Sequence, residues 1–348
     1  MQAKSELDTK IIGSEINLFN KIIRAIPGVL ILLFVGLLAK EIATYIPHIN
    51  YVLIAIALGM LIRNTLPVPK FLEYGIDTYE LWLKVGIVFL GARLVLGDIL
   101  SLGSLGLVMV VVEILVSITV ILFLARRFGI SEKLGSLLAI GVGICGVSAI
   151  IGASGAIDAE EEDSALAIAT ILIFGAVMVF LFPLIGQAIG LSSEAFGYWA
   201  GLAVDNTSEA VATGFAFSET AGQYATLTKL SRNALMGIVI LLFALRFAGR
   251  KTASRIDNKV KFVWDNFPKF LIGFLLMSFL STVGFFTDSH ISAMKHLYKW
   301  AFMLAFVGVG FRTQISEMRK AGFKAAIVGF GGELAVAIVT LLMVKFFV

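Results

Sequence analysis

The sequence predicts an all-α integral membrane protein with about eleven transmembrane helices, inverted repeats and discontinuous helices. Of its 348 residues, 59% are hydrophobic and 15% are charged, whereas soluble domains carry roughly 25% charged residues. The mean hydropathy of +0.96 agrees with this class. Two polar stretches interrupt the apolar chain, and each predicts a broken helix, because an unpaired backbone group in hydrocarbon costs several kcal/mol.

Eleven apolar runs approach the length of about 20 residues that a transmembrane helix needs. They cover residues 27–45, 50–63, 79–97, 104–125, 134–156, 164–190, 196–217, 226–247, 267–287, 296–313 and 322–347. Residues 1–26 are predicted to form a cytoplasmic N-terminal segment, and residues 27–348 a single transmembrane domain. The N-terminal segment has no apolar core of the kind found in signal peptides, so the first span should stay in the mature chain.

Basic residues give the predicted orientation. With a cytoplasmic N-terminus and eleven crossings, about 20 of the 28 lysines and arginines fall on the cytoplasmic side, as the positive-inside bias requires. The acidic run Asp158–Asp163 falls on the other side. The pI near 9.1 is therefore explained by cytoplasmic loops, and we expect no nucleic-acid partner.

An internal repeat relates residues 21–125 to residues 229–344, around a central broken-helix region at 131–218. The matched positions pair Lys21 with Lys229, Arg24 with Arg232, Arg93 with Arg312 and Glu113 with Glu333. An odd number of crossings separates the related elements, which would make the repeat inverted, as in many transporters. Leu138–Gly143 also resembles Leu304–Gly310, so the register of the repeat stays open.

The first polar stretch runs from Gly143 to Ser154 and is rich in glycine and serine. A break near Cys145, Gly146 and Val147 would leave a half-helix that starts at Ser148, whose hydroxyl suits an N-cap. Its free N–H groups and partial positive charge would favour an anion. The alternative interpretation is close helix packing, since small residues at this spacing let membrane helices approach one another.

The second polar stretch is Asp205-Asn206-Thr207-Ser208-Glu209, between two apolar flanks. A carboxylate at the centre of a bilayer costs at least about 2.5 kcal/mol on insertion scales. Two carboxylates within one pentad therefore predict a functional site inside the membrane. The alternative interpretation is an aqueous loop with short apolar flanks.

Further charges lie within the predicted spans, and they are interpreted as structural or secondary: Lys84, Arg93, Glu113, Lys229, Arg232, Arg312 and Glu333. The lysines and Arg232 are expected to reach an interface by snorkelling. The two glutamates lie deeper, and we expect them to pair with the arginines of the repeat.

Three motifs together resemble the YeiH-like sulfate-exporter family, conserved hypothetical 698. They are the Gly143–Ser154 stretch, Phe196-Gly-Tyr-Trp-Ala-Gly201 and Ala225-Thr-Leu-Thr-Lys-Leu-Ser-Arg232. The resemblance extends over nearly the whole chain from Pro27. It implies a multi-pass transporter of the bacterial inner membrane, with crossed discontinuous helices similar to those of sodium/proton antiporters and bile-acid symporters.

One departure from the family pattern concerns the second polar stretch. Where the family has Ile-His-Asp-Thr-x-Gln-Val, Thr207 is kept, but Asp205, Asn206 and Glu209 stand at the His, Asp and Gln positions. Carboxylates beside an anion are unfavourable unless protons or a metal ion compensate. The departure therefore favours a sodium or proton role at this site.

The sequence predicts a secondary active transporter that moves a small anion, sulfate- or sulfonate-like by the resemblance, by alternating access and coupled to sodium or protons. The predicted substrate-binding residues are Cys145, Gly146, Val147, Ser148, Asn206, Thr207 and Ser208. Asp205 and Glu209 are predicted to bind the coupling ion or to carry the proton. A sodium ion is the one cofactor considered, and the expected partners are a small inorganic or organic ion, the lipid bilayer and a second copy in a homodimer.

Three alternative functions remain open on the sequence. A cation/proton antiporter would use the same carboxylates without an anion substrate. An intramembrane enzyme would use Cys145 or Ser148 as a nucleophile, but the histidines lie at span ends or in loops, so no base is available to activate it. A passive channel would show non-saturating flux.

Overall fold

The computed structural model of the protein describes residues 2–46, 49–94, 96–247, 258–318 and 322–348; side chains 1–19, 95–105 and 318 are outside the description. Within these ranges the structure contains seventeen helices. They are α1 (Gln2–Tyr45), α2 (Tyr51–Thr65), α3 (Lys70–Ile76), α4 (Tyr79–Gly91), α5 (Leu96–Phe128), α6 (Glu132–Gly143), α7 (Val147–Ala156), α8 (Glu161–Ala188), α9 (Ser193–Ala203), α10 (Thr207–Phe217), α11 (Glu219–Ala234), α12 (Met236–Phe247), α13 (Lys259–Asp265), α14 (Phe270–Thr282), α15 (Asp288–Arg312), α16 (Ile315–Met318) and α17 (Phe323–Phe347).

Five stretches of helix in the described ranges are long and apolar enough to cross a membrane. They are Asn20–Tyr45, Gly106–Phe128, Glu161–Ala188, Glu219–Phe247 and Phe323–Phe347. The pair α13 and α14, bent by 76°, gives a sixth if it counts as one span. The all-helical architecture of a multi-pass membrane protein is thus confirmed, whereas the eleven crossings and the inverted repeat stay predictions.

Several helix limits differ from the predicted spans, among them those of α1 and α4. Pro27 lies inside α1, although proline removes a hydrogen bond from the preceding turn. Close packing holds this part of the helix: a Cβ atom on Gly28 would lie 2.3 Å from the carbonyl oxygen of Leu72 in α3. Further on, α4 ends at Gly91, earlier than the span limit at residue 97.

The chain divides into two compact units, Met1–Lys84 with Lys299–Arg312, and Val85–Tyr298 with Thr313–Val348. In the first unit, α1 packs against α2 and α3. In the second, α9, α10 and α11 pack against one another, and α5 packs against α6 and α17. Both polar stretches lie in the second unit, which also holds Glu113, Lys229, Arg232 and Glu333, whereas Lys84 and Arg312 belong to the first.

The first polar stretch is an interruption between α6 and α7, as predicted. The break needs glycine at position 146 for two reasons: its φ is +66°, and a Cβ atom there would lie 2.1 Å from Oδ1 of Asn206. The predicted N-cap at Ser148 is wrong, because Gly146 has the N-cap position and α7 already begins at Val147, one residue before the predicted start. Glycine reaches a positive φ without the steric cost that a Cβ atom imposes.

The second polar stretch is also an interruption. Helix α9 ends at Ala203 and α10 begins at Thr207, and the caps Val204 and Asn206 are both extended. Asp205, between them, has 0% exposure. The alternative of an aqueous loop is therefore wrong, because a loop in bulk water would leave this carboxylate hydrated.

Candidate functional site

The N-termini of α7 and α10 meet at Asn206. Its Oδ1 accepts a hydrogen bond from the backbone N–H of Val147 at 3.1 Å. Its Nδ2 donates to Oε2 of Glu209 at 2.8 Å. One amide side chain therefore caps the first half-helix and fixes an acidic side chain in the first turn of the second.

The residues that begin these two helices form the accessible face of the junction. Val147, Thr207 and Ser208 are half-buried, and Ser148 is exposed. The Thr207 hydroxyl accepts a hydrogen bond from Nδ2 of Asn233 at 2.9 Å. The first N–H groups of a helix have no intrahelical acceptor, and the N-terminus carries a partial positive charge. Two such ends beside hydroxyl groups suit a small anion.

Glu209 is buried against α8. Its exposure is 4%, and its carboxyl group fills the space beside Gly175, where a Cβ atom would lie 1.8 Å from Oε2. A carboxylate in the first turn of α10 interacts favourably with the positive end of that helix. The absence of a side chain at Gly175 therefore leaves room for the carboxyl group of Glu209.

The C-termini of α6 and α9 are joined by Arg232 of α11. The guanidinium Nε donates to the carbonyl oxygen of Gly143 at 3.2 Å. Its other nitrogens donate to the carbonyl oxygens of Val142 and Leu202. The last carbonyl groups of a helix lack intrahelical donors. A cation at this position therefore supplies hydrogen-bond donors to the C-terminal carbonyl groups of both α6 and α9.

Lys229, one turn earlier in α11, has a similar role. Its Nζ donates to the carbonyl oxygen of Val204 at 2.8 Å. Lys229 and Arg232 both have 0% exposure. The prediction that they snorkel to an interface is therefore wrong: the unpaired carbonyl groups at the helix interruptions give them buried acceptors. Lys84 does reach the surface, where it pairs with Glu80 at 3.2 Å.

Glu113 of α5 forms a buried ion pair with Arg232, with Oε2 3.2 Å from Nε. The predicted pairing with an arginine of the repeat is therefore confirmed for Glu113, because Arg232 is one of those arginines. For Glu333 it is wrong, since this carboxyl group makes no ion pair with an arginine within the described residues. Arg93 instead pairs with Glu219 at 2.5 Å and donates to the hydroxyl of Tyr298 at 2.8 Å. Arg312 is exposed. No sequence signal marked Glu219, which stands at the start of α11.

The carboxyl groups of Asp205 and Glu333 are neighbours that interact with each other. Their exposures are 0% and 1%. Within the described ranges, none of the four carboxyl oxygens accepts a hydrogen bond from a donor. Two like-charged groups are thus placed side by side, without the donors that buried carboxylates ordinarily require.

These side chains form what we call the buried charge cluster. It consists of four acids and two bases: Glu113, Asp205, Glu209, Glu333, Lys229 and Arg232. It lies behind the helix junction, where Cys145 has 6% exposure and its Sγ is 3.5 Å from Sδ of Met236. The structure thus brings the two predicted polar stretches together, and it adds Glu113 and Glu333 to the same site.

These features define a class, a multi-pass helical membrane protein with two interrupted helices around a buried charge cluster. The chain belongs to the family described as Conserved hypothetical protein 698, which matches residues 27–329.

Similar proteins from several bacteria carry the name UPF0324 membrane protein. One from Nitratidesulfovibrio vulgaris is 34% identical, with 92% of this chain and 94% of the relative covered. One from Clostridium tetani is 29% identical, with 91% and 95% covered. One from Streptococcus agalactiae is 29% identical, with 91% and 96% covered. These matches extend over nearly the full length of both chains.

Proposed function

We propose that this protein is a secondary active transporter that moves a small anion across the membrane by alternating access, coupled to sodium or protons. The observation that carries the proposal is the junction at Asn206, where the N-termini of α7 and α10 meet in front of a buried charge cluster. Discontinuous helices of this kind build the substrate sites of many transporters.

The anion would bind at the accessible face of the junction. Ser148 would offer its backbone N–H group from one helix N-terminus, and Thr207 and Ser208 would offer theirs from the other. Val147 would line the site, since its own N–H group is donated to Asn206. Cys145, Gly146 and Asn206 shape the site from behind. A tetrahedral oxyanion with several acceptors, such as sulfate or a sulfonate, matches this arrangement of N–H and hydroxyl donors.

The coupling ion would bind behind the anion. Asp205 and Glu209 are both buried, and their carboxyl groups lie close enough to interact electrostatically. An entering anion adds negative charge beside them, which favours uptake of a proton or a sodium ion at the same time. This mutual dependence would make binding of the anion and of the coupling ion cooperative.

The finer architecture belongs to the same proposal. We expect eleven crossings with inverted repeats, an inner-membrane location and a cytoplasmic N-terminus, with the junction near the middle of the bilayer. The transporter would work without enzymatic activity and without a nucleic-acid partner, and a homodimer is the expected assembly. The positive-inside distribution of lysine and arginine supports the orientation.

A cation/proton antiporter without an anion substrate is the second candidate. The excess of acids over bases in the buried charge cluster favours it, since cation sites are built from carboxylates. Addition of sodium, in the absence of permeant anions, to vesicles that contain a pH-sensitive dye distinguishes the two. Proton movement under these conditions supports the antiporter.

The test of the proposal is transport by the purified full-length protein in liposomes. Radiolabelled sulfate uptake is measured under imposed pH and sodium gradients for the wild type, for Asp205→Asn with Glu209→Gln, and for Glu162→Gln. Glu162 is an exposed glutamate in the first turn of α8, so it serves as the matched control. We expect the double variant to lose the dependence on the gradient and the control to keep it. Unchanged gradient dependence in the double variant would overturn the assignment.

A further inference from the structure

We infer that Asp205 and Glu333 share a single proton between their carboxyl groups, and that this pair is the site at which a proton is coupled to transport. The inference rests on the proposed function and deepens it, because it names the coupling ion. It also gives Glu333 of α17, which the sequence marked as a secondary charge, a direct part in that coupling.

The geometry of the pair carries the inference. The two carboxyl groups are neighbours that interact with each other, both are almost fully buried, and their four oxygens have no hydrogen-bond donor in the described part of the chain. A carboxylate only accepts hydrogen bonds, whereas a protonated carboxyl group donates one. A buried contact between two carboxyl groups is therefore stable when one of them holds a proton and donates it to the other.

The charged surroundings agree with one added proton. The titratable and charged groups that face the pair are Glu113 of α5, Cys145 before α7, Glu209 of α10, and Lys229 and Arg232 of α11. Arg232 is already paired with Glu113, and Lys229 donates to a backbone carbonyl group. Neither cation makes the short contact that would neutralise Asp205 or Glu333.

A proton fits this place better than a sodium ion does. Hard metal cations require several oxygen ligands around them. The nearby carbonyl oxygens of Gly143, Leu202 and Val204 already accept hydrogen bonds from Arg232 or Lys229. The positive charges of Lys229 and Arg232 would also repel a sodium ion. A shared proton needs only the two carboxyl groups.

The coupling step is a simple proton exchange. On one side of the membrane the pair takes one proton from water, and an O–H bond forms on one carboxyl group. On the other side that O–H bond breaks and the proton returns to water, leaving two carboxylates. Glu333 lies in α17, and Asp205 follows the end of α9, which packs against α17. A movement of α9 relative to α17 would therefore separate the carboxyl groups and release the proton.

The test combines spectroscopy with transport. Infrared spectra of the full-length protein at neutral pH, in H2O and D2O, report the C=O band of a protonated carboxyl group. The variants are Glu333→Gln and Asp205→Asn, in which an amide N–H replaces the shared proton and keeps the contact, with Glu162→Gln as the control. Proton movement into dye-loaded liposomes is then recorded while a gradient of inorganic sulfate is imposed.

We expect a deuterium-sensitive carboxyl band in the wild type and in the control, and its loss in both pair variants. Thermal unfolding should show that both variants remain folded, because the amide satisfies the remaining carboxylate. Sulfate-driven proton movement should fall at least tenfold in them. If the band is lost in the pair variants but the wild type shows no sulfate flux, the shared proton is supported and the proposed function is overturned. If Glu333→Gln still shows sulfate flux with unchanged proton movement, the inferred coupling role of the pair is overturned. Absence of a carboxyl band in the wild type would overturn the shared proton itself.

Discussion

The side-chain Oδ1 of Asn206 accepts the first backbone N–H of α7, from Val147, at 3.1 Å. This contact joins two segments that lie 59 residues apart in the sequence, and it holds the N-termini of two broken helices against each other. The amide group is suited to the place because it has both an acceptor for the helix end and a donor for Glu209.

Replacement of Asn206 by alanine should destabilise the protein strongly. The change removes a helix cap, at a cost of about 1 kcal/mol. It also leaves the buried carboxyl group of Glu209 without its donor, which costs about 1–3 kcal/mol more. The measurement is thermal unfolding of the purified protein in detergent.

Asn50→Ala provides a control at a helix cap outside the site, since Asn50 caps α2 through Val52 N–H at 3.0 Å. We expect a smaller fall in Tm for Asn50→Ala than for Asn206→Ala. Equal falls would show that the Asn206 to Glu209 hydrogen bond contributes nothing.

Gly175→Ala should disturb the site through Glu209. The added Cβ atom would lie 1.8 Å from Oε2 of Glu209, so the carboxyl group must move. We expect loss of sulfate uptake and a lower Tm. In a Glu209→Ala background the same change should be nearly harmless, because the clashing group is absent.

Gly155→Ala is the matched control, because a Cβ atom there would meet nothing within 4 Å. Gly155 lies in the last turn of α7, where alanine should stabilise the helix by less than the roughly 1 kcal/mol found at interior positions. If Gly175→Ala were as damaging with Glu209 absent as with it present, the proposed contact would not be the cause.

Arg232→Met should be among the most destabilising single changes in the chain. It leaves Glu113 as an unpaired buried charge and removes donors from the ends of α6 and α9, and breaking a buried ion pair alone costs about 3–5 kcal/mol. Adding Glu113→Gln should recover part of the loss, since the unpaired charge is then removed. A double-mutant cycle on the free energy of unfolding measures this coupling, and strictly additive effects would refute the ion pair.

Thr207→Val should lower both stability and transport. It removes the acceptor of the Asn233 side-chain N–H, which is 2.9 Å away, and a buried donor left without a partner costs about 1–3 kcal/mol. Thr207→Ser keeps the hydroxyl and should stay close to the wild type. The apparent KM for sulfate and the Tm are compared for the two variants. A serine variant as impaired as the valine variant would assign the effect to packing of the methyl group.

The helical membrane class and both helix interruptions could be predicted from sequence. Glycine at 146 and the acidic pentad are local signals, because an unusual backbone or a carboxylate within an apolar run has few physical explanations. The end of α4 at Gly91 and the passage of α1 through Pro27 could not be predicted, because tertiary packing decides them.

The partners within the site could be predicted only in part. The sequence predicts that Glu113 pairs with an arginine of the repeat, but the choice of Arg232 depends on α5 and α11 meeting, which no local pattern encodes. Burial of Lys229 was missed because its acceptor is a carbonyl group freed by a break elsewhere in the chain. The contact of Asp205 with Glu333 likewise joins residues far apart in sequence.

Alternating access at the junction is the central claim, and Ser148 gives its most direct test. Ser148 is exposed at the start of α7, and the chain has one cysteine, Cys145. The variant Cys145→Ala with Ser148→Cys is reconstituted in liposomes of known orientation and treated with a membrane-impermeant maleimide from either side. Labelling from both sides, in proportions that an imposed sulfate gradient changes, is the predicted result. Labelling from one side only under every gradient would contradict the account.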